Sequence, residues 1–462
     1  MMAKKADQKP ESYRCLGRVL NLEKACILHP DIPNKDKRRA PKYALAEAVS
    51  LVNALSLDIG FSEVVNLRNP HVGLLFSKGK LAEIGEKIDN QNISLVIIDG
   101  PVSPIQQRNL ERYWKVKVLD RTGLILEIFS DRAATREGVL QVDLAALSYS
   151  KTRLVRAWTH LERQRGGLGF VGGAGETQIE SDRRAIDDAI LRLRKQLAKV
   201  VKTRDLHRAA RAKVPYPIVA LVGYTNAGKS TLFNTLTGAK VIAKNMLFAT
   251  LDPTMRELEL PGGQKVILSD TVGFISELPT QLVAAFRATL EEVLDADLIL
   301  HVRDIAHPET EAQADDVTDI LNDLGIAQSA KDKMIEIWNK SDLLDQPALE
   351  TTLNASKRND NIQTISALTG RGLDTLLRLI ETSIEEPTTT EIIRLAYSEG
   401  ARRAWLFEQN VIGEEKTWDQ GYELTVKWTA KQAAQFEKYG MTETASMLSG
   451  SYKVCVWKLS AQ

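Results

Sequence analysis

Cysteine is scarce: Cys15, Cys26 and Cys455 are the three in 462 residues, and none forms a Cys-x-x-Cys pair. That excludes a disulfide scaffold and a thiolate zinc site, and fits a reducing, cytoplasmic setting in which each thiol serves as a small apolar side chain. The six histidines are scattered, and none is assigned to a metal. No apolar run is long enough to span a bilayer, and the polar, lysine-bearing N-terminus lacks the apolar stretch of a signal peptide. Neither sign of charge is in excess: the net charge is +1, so any preference for nucleic acid must be local. What the chain does have is length. With 462 residues, 44% apolar and 26% charged, it reads as a soluble globular protein too long for one core, with two to four domains.

The most informative stretch is Gly223-Tyr224-Thr225-Asn226-Ala227-Gly228-Lys229-Ser230-Thr231, which fits the phosphate-loop pattern G-x-x-x-x-G-K-[ST]. Ile218 to Val222 before it is an apolar run suited to a buried parallel strand, and Leu232 to Leu236 after it suits a helix. In that context successive backbone N–H groups and the positive end of the helix dipole face an anion. Lys229 then supplies a point charge to the outer phosphates, and Ser230 a hydroxyl to Mg²⁺.

Three more stretches select guanine. Val266 to Leu268 runs into Asp270-Thr271-Val272-Gly273, a D-x-x-G in which the aspartate serves Mg²⁺ and Gly273 offers its N–H to the last phosphate. Met334 to Trp338 leads into Asn339-Lys340-Ser341-Asp342, an N-K-x-D motif. A carboxylate at 342 accepts from guanine N1–H and N2–H₂ together, a donor pair adenine lacks, and unpaired buried polar groups are heavily penalised. Ser366, Ala367 and Leu368 follow, with backbone suited to guanine O6. Four motifs in this order resemble the translation-factor-related class of P-loop GTPases. Between the phosphate loop and D-x-x-G lie Phe248, Ala249 and Thr250, with Thr250 the first choice for the Mg²⁺-binding threonine and Thr254 the second. The catalytic set is Lys229, Thr250 and Gly273, and the metal set Ser230, Thr250 and Asp270. Asn226 has two readings: its side chain helps to hold K⁺ beside the phosphates, or it braces the loop.

The rest of the chain surrounds this core. Residues 1–13 read as a disordered N-terminus. Residues 14–135 alternate helix and strand, with helices at 44–57, 80–89 and 104–113 and strands at 63–67, 95–99 and 116–119, an α/β unit with a largely parallel sheet. Asp99 and Asp120 sit at strand ends, where such sheets place ligands or helix caps. Residues 136–213 carry two apolar stripes, Leu140, Leu144, Leu147, Leu154, Trp158 and Leu161, then Ile186, Ile190, Leu193, Leu197 and Val200, broken once by Lys151. They predict an antiparallel helical hairpin. Its tip, residues 166–175, is six-tenths glycine, longer and more glycine-rich than a connector needs. Residues 151–213 hold sixteen Lys and Arg against seven Asp and Glu, so the remainder of the chain is net acidic. A local basic excess of this kind points to a nucleic-acid contact. The expected contact residues are Arg163, Arg165, Gly166, Gly167, Phe170, Gly172, Gly173, Gly175, Arg183 and Arg184, with Phe170 available to stack on an exposed base. The GTPase core spans 214–387 and a small α+β unit 388–462, in which Trp405 and Trp418 are either core or contact residues. The fold class is thus multidomain α/β: a P-loop GTPase core, an N-terminal α/β domain bearing a long hairpin, and a small α+β C-terminal domain.

Taken together the chain resembles the HflX-type ribosome-associated GTPases over nearly its whole length. The resemblance rests on Ser77 to Lys80, Gln107 to Leu110, Asp120-Arg121, Asp131 to Ala133, Glu137-Gly138, Gln141 to Ala145, the glycine loop ending Gly175-Glu176, Asp182 to Arg184, and Phe248 to Thr254. The tip departs from the commonest family form, having Gly-Gly-Ala-Gly-Glu at 172–176 where that form has Arg-Gly-Pro-Gly-Glu. The resemblance implies GTP as substrate with Mg²⁺, and a monomer that binds the large ribosomal subunit through ribosomal proteins and rRNA near the peptidyl-transferase region. It further implies splitting of stalled ribosomes under stress, in a cytoplasmic protein found on ribosomes or peripherally at membrane. Rival expectations are a GTPase for rRNA folding, modification or ribosome assembly, and a GTP-gated scaffold gripping a protein coiled coil.

Overall fold

A strand buried on both faces needs an unbroken apolar run, and Leu95 to Ile98 supplies one. In the computed structural model of this protein those residues form β3, at the centre of a four-stranded parallel sheet. Residues 24–33, 39–164, 174–211, 216–239, 247–248, 254–276, 293–326, 328–384, 388–429 and 432–437 are described. The sheet order is β2-β1-β3-β4, where β1 is Lys24–Asp31, β2 Asp58–Asn66 and β4 Lys117–Asp120. Side-chain alternation divides its core in two. Ala25, Ile27, Leu95, Ile97 and Leu119 face helices α1 (Pro41–Ala54) and α4 (Arg121–Arg132). Cys26, Leu28, Val96, Ile98 and Val118 face α2 (Lys78–Gln91) and α3 (Pro104–Trp114). Cys26 is fully buried, as a small apolar residue would be.

The helices begin where their sequences say they should. Ser103 and Gln106 form a capping box at the start of α3, with Pro104 at its first position. Asp120 caps α4, accepting from the Gly123 N–H, so this strand-end aspartate is a helix cap. The first helix is displaced from its apolar pattern rather than shortened: it begins at Pro41 and stops at Ala54, because Ser56 takes a left-handed turn. Strand β1 and helix α4, for which the periodicity gave no assignment, complete the unit.

Helices α5 (Arg136–Gln164) and α6 (Ala174–Arg211) follow and pack along one another. Leu140 and Ile190 of the two stripes are buried. Lys151, the break in the first stripe, meets Asp187 of α6 in an ion pair, which places its charge against a partner across the seam.

The GTPase core is a six-stranded sheet, β10-β9-β8-β5-β7-β6. Its strands are β5 (Ile218–Gly223), β6 (Thr254–Glu259), β7 (Lys265–Asp270), β8 (Leu298–Asp304), β9 (Ile335–Asn339) and β10 (Ile362–Thr364). All are parallel except β6, which runs antiparallel to β7 at the edge. Strand β5 lies between β8 and β7, so the loop leaving its C-terminal end stands at the middle of the sheet edge where such folds bind ligands. The apolar cluster beneath α1 and α4 continues without interruption into this core, through Tyr224, Phe248, Val272, Phe274 and Ile275 to Val317 and Leu321.

Residues Glu381–Gln462 form a separate compact unit. Three antiparallel strands, β11 (Thr388–Ala396), β13 (Gly421–Thr429) and β12 (Ile412–Trp418), lie in the order β11-β13-β12. Leu395, Leu406, Leu424, Val426, Trp428 and Phe436 make its core. Trp405 packs on Phe436 at 5.7 Å between ring centroids, whereas Trp418 is 40% exposed. Strand β12 is largely polar and exposed, so no apolar alternation announces it. The strand expected at 452–459 lies outside the described residues. Among those residues no helix is long and apolar enough to cross a membrane.

Candidate functional site

The phosphate loop turns from β5 into helix α7 (Lys229–Thr237). Gly228 has φ +95°, and a Cβ there would lie 2.2 Å from Asn339 Nδ2, so only glycine fits. Asn339 occupies that closeness. Its Nδ2 donates to the Ala227 carbonyl at 2.8 Å, and its Oδ1 accepts from the Ala367 N–H at 2.9 Å. One buried side chain therefore ties the phosphate loop to the segment carrying Ser366, Ala367 and Leu368. The tie is reinforced by Thr235 of α7, whose hydroxyl donates to the Ala367 carbonyl at 2.9 Å. Asp342 stands exposed on the short turn after β9, where its Oδ1 accepts from the Ser366 hydroxyl at 2.5 Å. Lys340 pairs with Asp304 at 2.7 Å, and Leu368 is 77% exposed.

The D-x-x-G segment lies against the same loop. Thr271 donates to the Leu221 carbonyl at 2.6 Å. The Thr225 N–H donates to the Phe274 carbonyl at 2.7 Å, and the Phe274 N–H to the Gly223 carbonyl at 3.1 Å. A Cβ on Gly273 would sit 2.9 Å from Thr225 and 3.0 Å from Lys229 Nζ, so the glycine lies directly over the lysine head. The Ser230 hydroxyl donates to Asp270 Oδ2 at 2.7 Å. Among the described residues no group of three or more His, Cys, Asp or Glu could hold a metal. Asp270 and Ser230 offer one carboxylate and one hydroxyl, which together with substrate phosphates are usual oxygen donors to Mg²⁺.

Lys229 is buried, and its Nζ donates to the Gly223 and Tyr224 carbonyls, both at 3.0 Å. Burial lowers its ammonium to about 8, with Asp270 opposing the shift. Incoming phosphates favour the charged form, so binding takes up a proton wherever free Lys229 is neutral. Nucleotide affinity is expected to hold level below pH about 8 and to fall above it, approaching about tenfold per pH unit. Calorimetric titration in two buffers of different ionisation heat checks both the fall and the proton uptake; level affinity through that range counts against it. The linkage for folding has the opposite course. The unfolded chain holds the proton up to the ordinary 10.5, so the nucleotide-free fold gains stability as pH rises from about 8 towards that value.

Of the remaining expected residues, Asn226 is exposed in a left-handed conformation at φ 60°, and Phe248 is buried. Ala249 and Thr250 lie outside the described residues, while Thr254 begins β6 opposite Asp270. Arg165, Gly166, Gly167, Phe170, Gly172 and Gly173 also lie outside. Arg163 and Gly175 fall within α5 and α6, and Arg183 and Arg184 are exposed on α6, Arg184 3.6 Å from Glu180.

Motif reasoning named Asp99, Arg121 and Tyr224 singly but missed the buried polar cluster they form beside the phosphate loop. Glu47 of α1 accepts from Tyr224 Oη at 2.5 Å and Arg39 at 2.7 Å, and pairs with Arg121. Arg121 donates to Asp99 at 2.6 Å, and Asp99 meets His29 at 2.8 Å. Burial alone would raise the Glu47 carboxyl, but Arg121 and Arg39 outweigh it and hold it below the ordinary carboxylate range. No local signal joins these residues into one cluster, because they are brought together only by the fold.

A phosphate loop on the central strand, a D-x-x-G beside it and an N-K-x-D stapled to it define a P-loop GTPase. Family models match the chain in succession: "GTP-binding GTPase N-terminal" over 42–130, "GTP-binding GTPase Middle Region" over 132–211, "50S ribosome-binding GTPase" over 218–340 and "HflX C-terminal domain" over 351–447. The chain is 46% identical over 375 residues to the GTPase HflX of Magnetococcus marinus, covering 81% of this chain and 85% of that one. Against the GTPase HflX of Escherichia coli the identity is 41% over 375 residues, covering 81% and 86%. Against the human putative GTP-binding protein 6 it is 34% over 420 residues, covering 88% and 80%. The chain belongs to the HflX family of GTPases, and its reaction is hydrolysis of GTP.

Proposed function

We propose that this GTPase binds the large ribosomal subunit and splits stalled ribosomes, with its α5–α6 hairpin as the reader of rRNA near the peptidyl-transferase region. The observation that carries the reading is the hairpin: two long paired helices with a basic excess, joined through a glycine-rich tip, on a chain whose core matches a 50S ribosome-binding GTPase model. Arg163, Arg165, Arg183 and Arg184 neutralise phosphates, and the tip glycines and Phe170 approach the bases. Such a protein works in the cytoplasm as a monomer, and ribosome stalling under stress is the condition that calls on it.

In the nucleotide site Asp342 accepts from the guanine edge, and the backbone of Ser366 to Leu368 faces O6. Lys229 and the loop N–H groups hold the phosphates, and Gly273 meets the last of them. Ser230, Asp270 and Thr250 hold Mg²⁺, which when bound neutralises charge on the phosphates. Asn226 places its side-chain oxygen for K⁺ beside them.

The test is co-sedimentation with large subunits in a non-hydrolysable GTP analogue across a salt series. Charge reversal of the four arginines is expected to weaken binding and to flatten its salt dependence by about 0.7–0.9 in logarithmic slope for each phosphate no longer neutralised. Nucleotide binding measured alongside reports a folded core. Undiminished ribosome binding by the reversed variant removes the hairpin from the role. Binding by the wild type without release of subunits from whole ribosomes favours a GTPase of rRNA folding or assembly instead.

A further inference from the structure

Helix α4 touches both segments that a P-loop GTPase uses to sense its last phosphate. At its first residue, Arg121 donates to the Ser276 carbonyl at 3.1 Å and the Ser276 hydroxyl at 3.0 Å. Ser276 stands three residues beyond Gly273. Two turns further along α4, Phe129 packs edge-to-face on Phe248, with centroids 4.6 Å apart. Phe248 belongs to the stretch between phosphate loop and D-x-x-G, two residues before Thr250.

The contact at Ser276 is built, not incidental. Its N–H donates to the Tyr224 hydroxyl at 2.8 Å, and its own hydroxyl lies 3.3 Å from Glu47 Oε1. Tyr224 is the second residue of the phosphate loop and donates to the same Glu47. Arg39 stacks over the Tyr224 ring at 4.8 Å and reaches Asp316 of the GTPase core at 2.9 Å. All three polar groups of Ser276 are thus engaged by side chains of α1, α4 and the phosphate loop. A shift of the D-x-x-G segment that carries Ser276 with it breaks these bonds, and buried polar groups left unpaired are costly.

Helix α4 is also the base of the hairpin. Only residues 133–135 separate it from α5, and Tyr149 and Arg153 of α5 both bond to Asp120, the residue that caps α4.

We propose that Arg121 and Phe129 make α4 the element that couples the nucleotide state to the hairpin, with Arg121 a positioning residue for the D-x-x-G segment. The inference rests on the GTPase activity and not on the ribosome as partner. Because coupling between two sites is reciprocal, whatever the hairpin binds shifts the GTP-to-GDP preference by the same factor with which nucleotide shifts hairpin binding.

The experiment uses the full chain. Arg121→Lys keeps the charge but loses the fork that reaches Asp99, Glu47 and Ser276 at once. Phe129→Leu keeps an apolar side chain but removes the edge-to-face packing on Phe248, and Ser276→Ala removes only a hydroxyl. Two readouts are taken: the ratio of affinities for a non-hydrolysable GTP analogue and GDP, and amide hydrogen exchange of residues 121–150 in each nucleotide state. In the wild type, exchange over 121–150 differs between the two nucleotides. In Arg121→Lys and Phe129→Leu that difference shrinks, and the affinity ratio changes by about fivefold or more. Ser276→Ala moves both readouts the same way by less, and thermal melting identifies any variant that fails to fold. The proposal is overturned if the wild type shows no nucleotide-dependent exchange in α4 and α5. It is equally overturned if folded Arg121→Lys and Ser276→Ala keep both the exchange difference and the ratio of the wild type.

Discussion

Asp342→Asn is expected to lower GTP affinity by roughly 100- to 10,000-fold and to raise affinity for xanthosine triphosphate. In the proposed pose the carboxylate accepts two hydrogen bonds from guanine, and bonds to a charged group contribute about 1.5–3 kcal/mol each. An amide at 342 sets its own NH₂ against the guanine N2–H₂, donor facing donor. Xanthine carries a carbonyl at that ring position and accepts from the amide instead. The fold should survive the change, because the bond from the Ser366 hydroxyl reaches Asp342 Oδ1, and an amide oxygen can accept it equally. The variant also leaves Asn339 in place, and with it the staple between Ala227 and Ala367. Competition titration with the two nucleotides measures the exchange of preference. Unchanged GTP affinity would remove Asp342 from the base pocket.

GTP hydrolysis by the isolated protein is expected to be slow and to rise when large subunits are added. In Ras-like enzymes a glutamine directly after D-x-x-G orients the attacking water. Here that position is Phe274, 1% exposed, with its backbone bridged to the phosphate loop on both sides and its ring in the shared core. No side-chain donor or acceptor therefore reaches the water from this position. In the proposed site Lys229 and the loop N–H groups still stabilise charge on the phosphates, which would support a basal rate. A partner that orders the loops or supplies the missing group is expected to raise single-turnover rates at least tenfold, towards the ~1,000-fold lower bound seen when such a group is added. Phe274→Gln should not reproduce the gain: it introduces a polar amide into an apolar core position, and a loss of stability of about 1–3 kcal/mol is the expected result. Running the assay in K⁺ and in Na⁺ at matched ionic strength examines Asn226 as well, since equal rates leave it only a bracing role. Fast hydrolysis by the isolated wild type, with no further gain from ribosomes, would falsify a partner-completed site.

The two expectations differ in where their information lies. The proposed guanine selection rests on a short motif whose residues are neighbours in the chain, so Asn339, Lys340 and Asp342 could be named from spacing alone. The proposed control of hydrolysis depends on what surrounds Phe274, whose ring lies in an apolar cluster that runs from the N-terminal sheet into the GTPase core. The residue is plain in the sequence, but its packing is not.

The same distinction runs through the molecule. Apolar runs of strand length, helix caps such as Ser103 with Gln106, and the glycine positions of the phosphate loop are local, and short-range sterics and hydrogen bonding enforce them wherever the chain goes. They determined the parallel N-terminal sheet, the GTPase sheet, the paired helices and the order of the nucleotide motifs. Strand β12 escaped because its residues alternate no apolar face. The tertiary structure alone decided that Asn339 spends both polar atoms inside the protein, that Lys151 finds Asp187, and that Glu47, Asp99, Arg121, Tyr224 and Ser276 share one buried network. Glu47 and Tyr224 are 177 residues apart, and Arg121 and Ser276 are 155 apart. A buried charge is tolerated only where its partners converge on it, and convergence over such separations is a property of the packed chain, which no window of sequence contains.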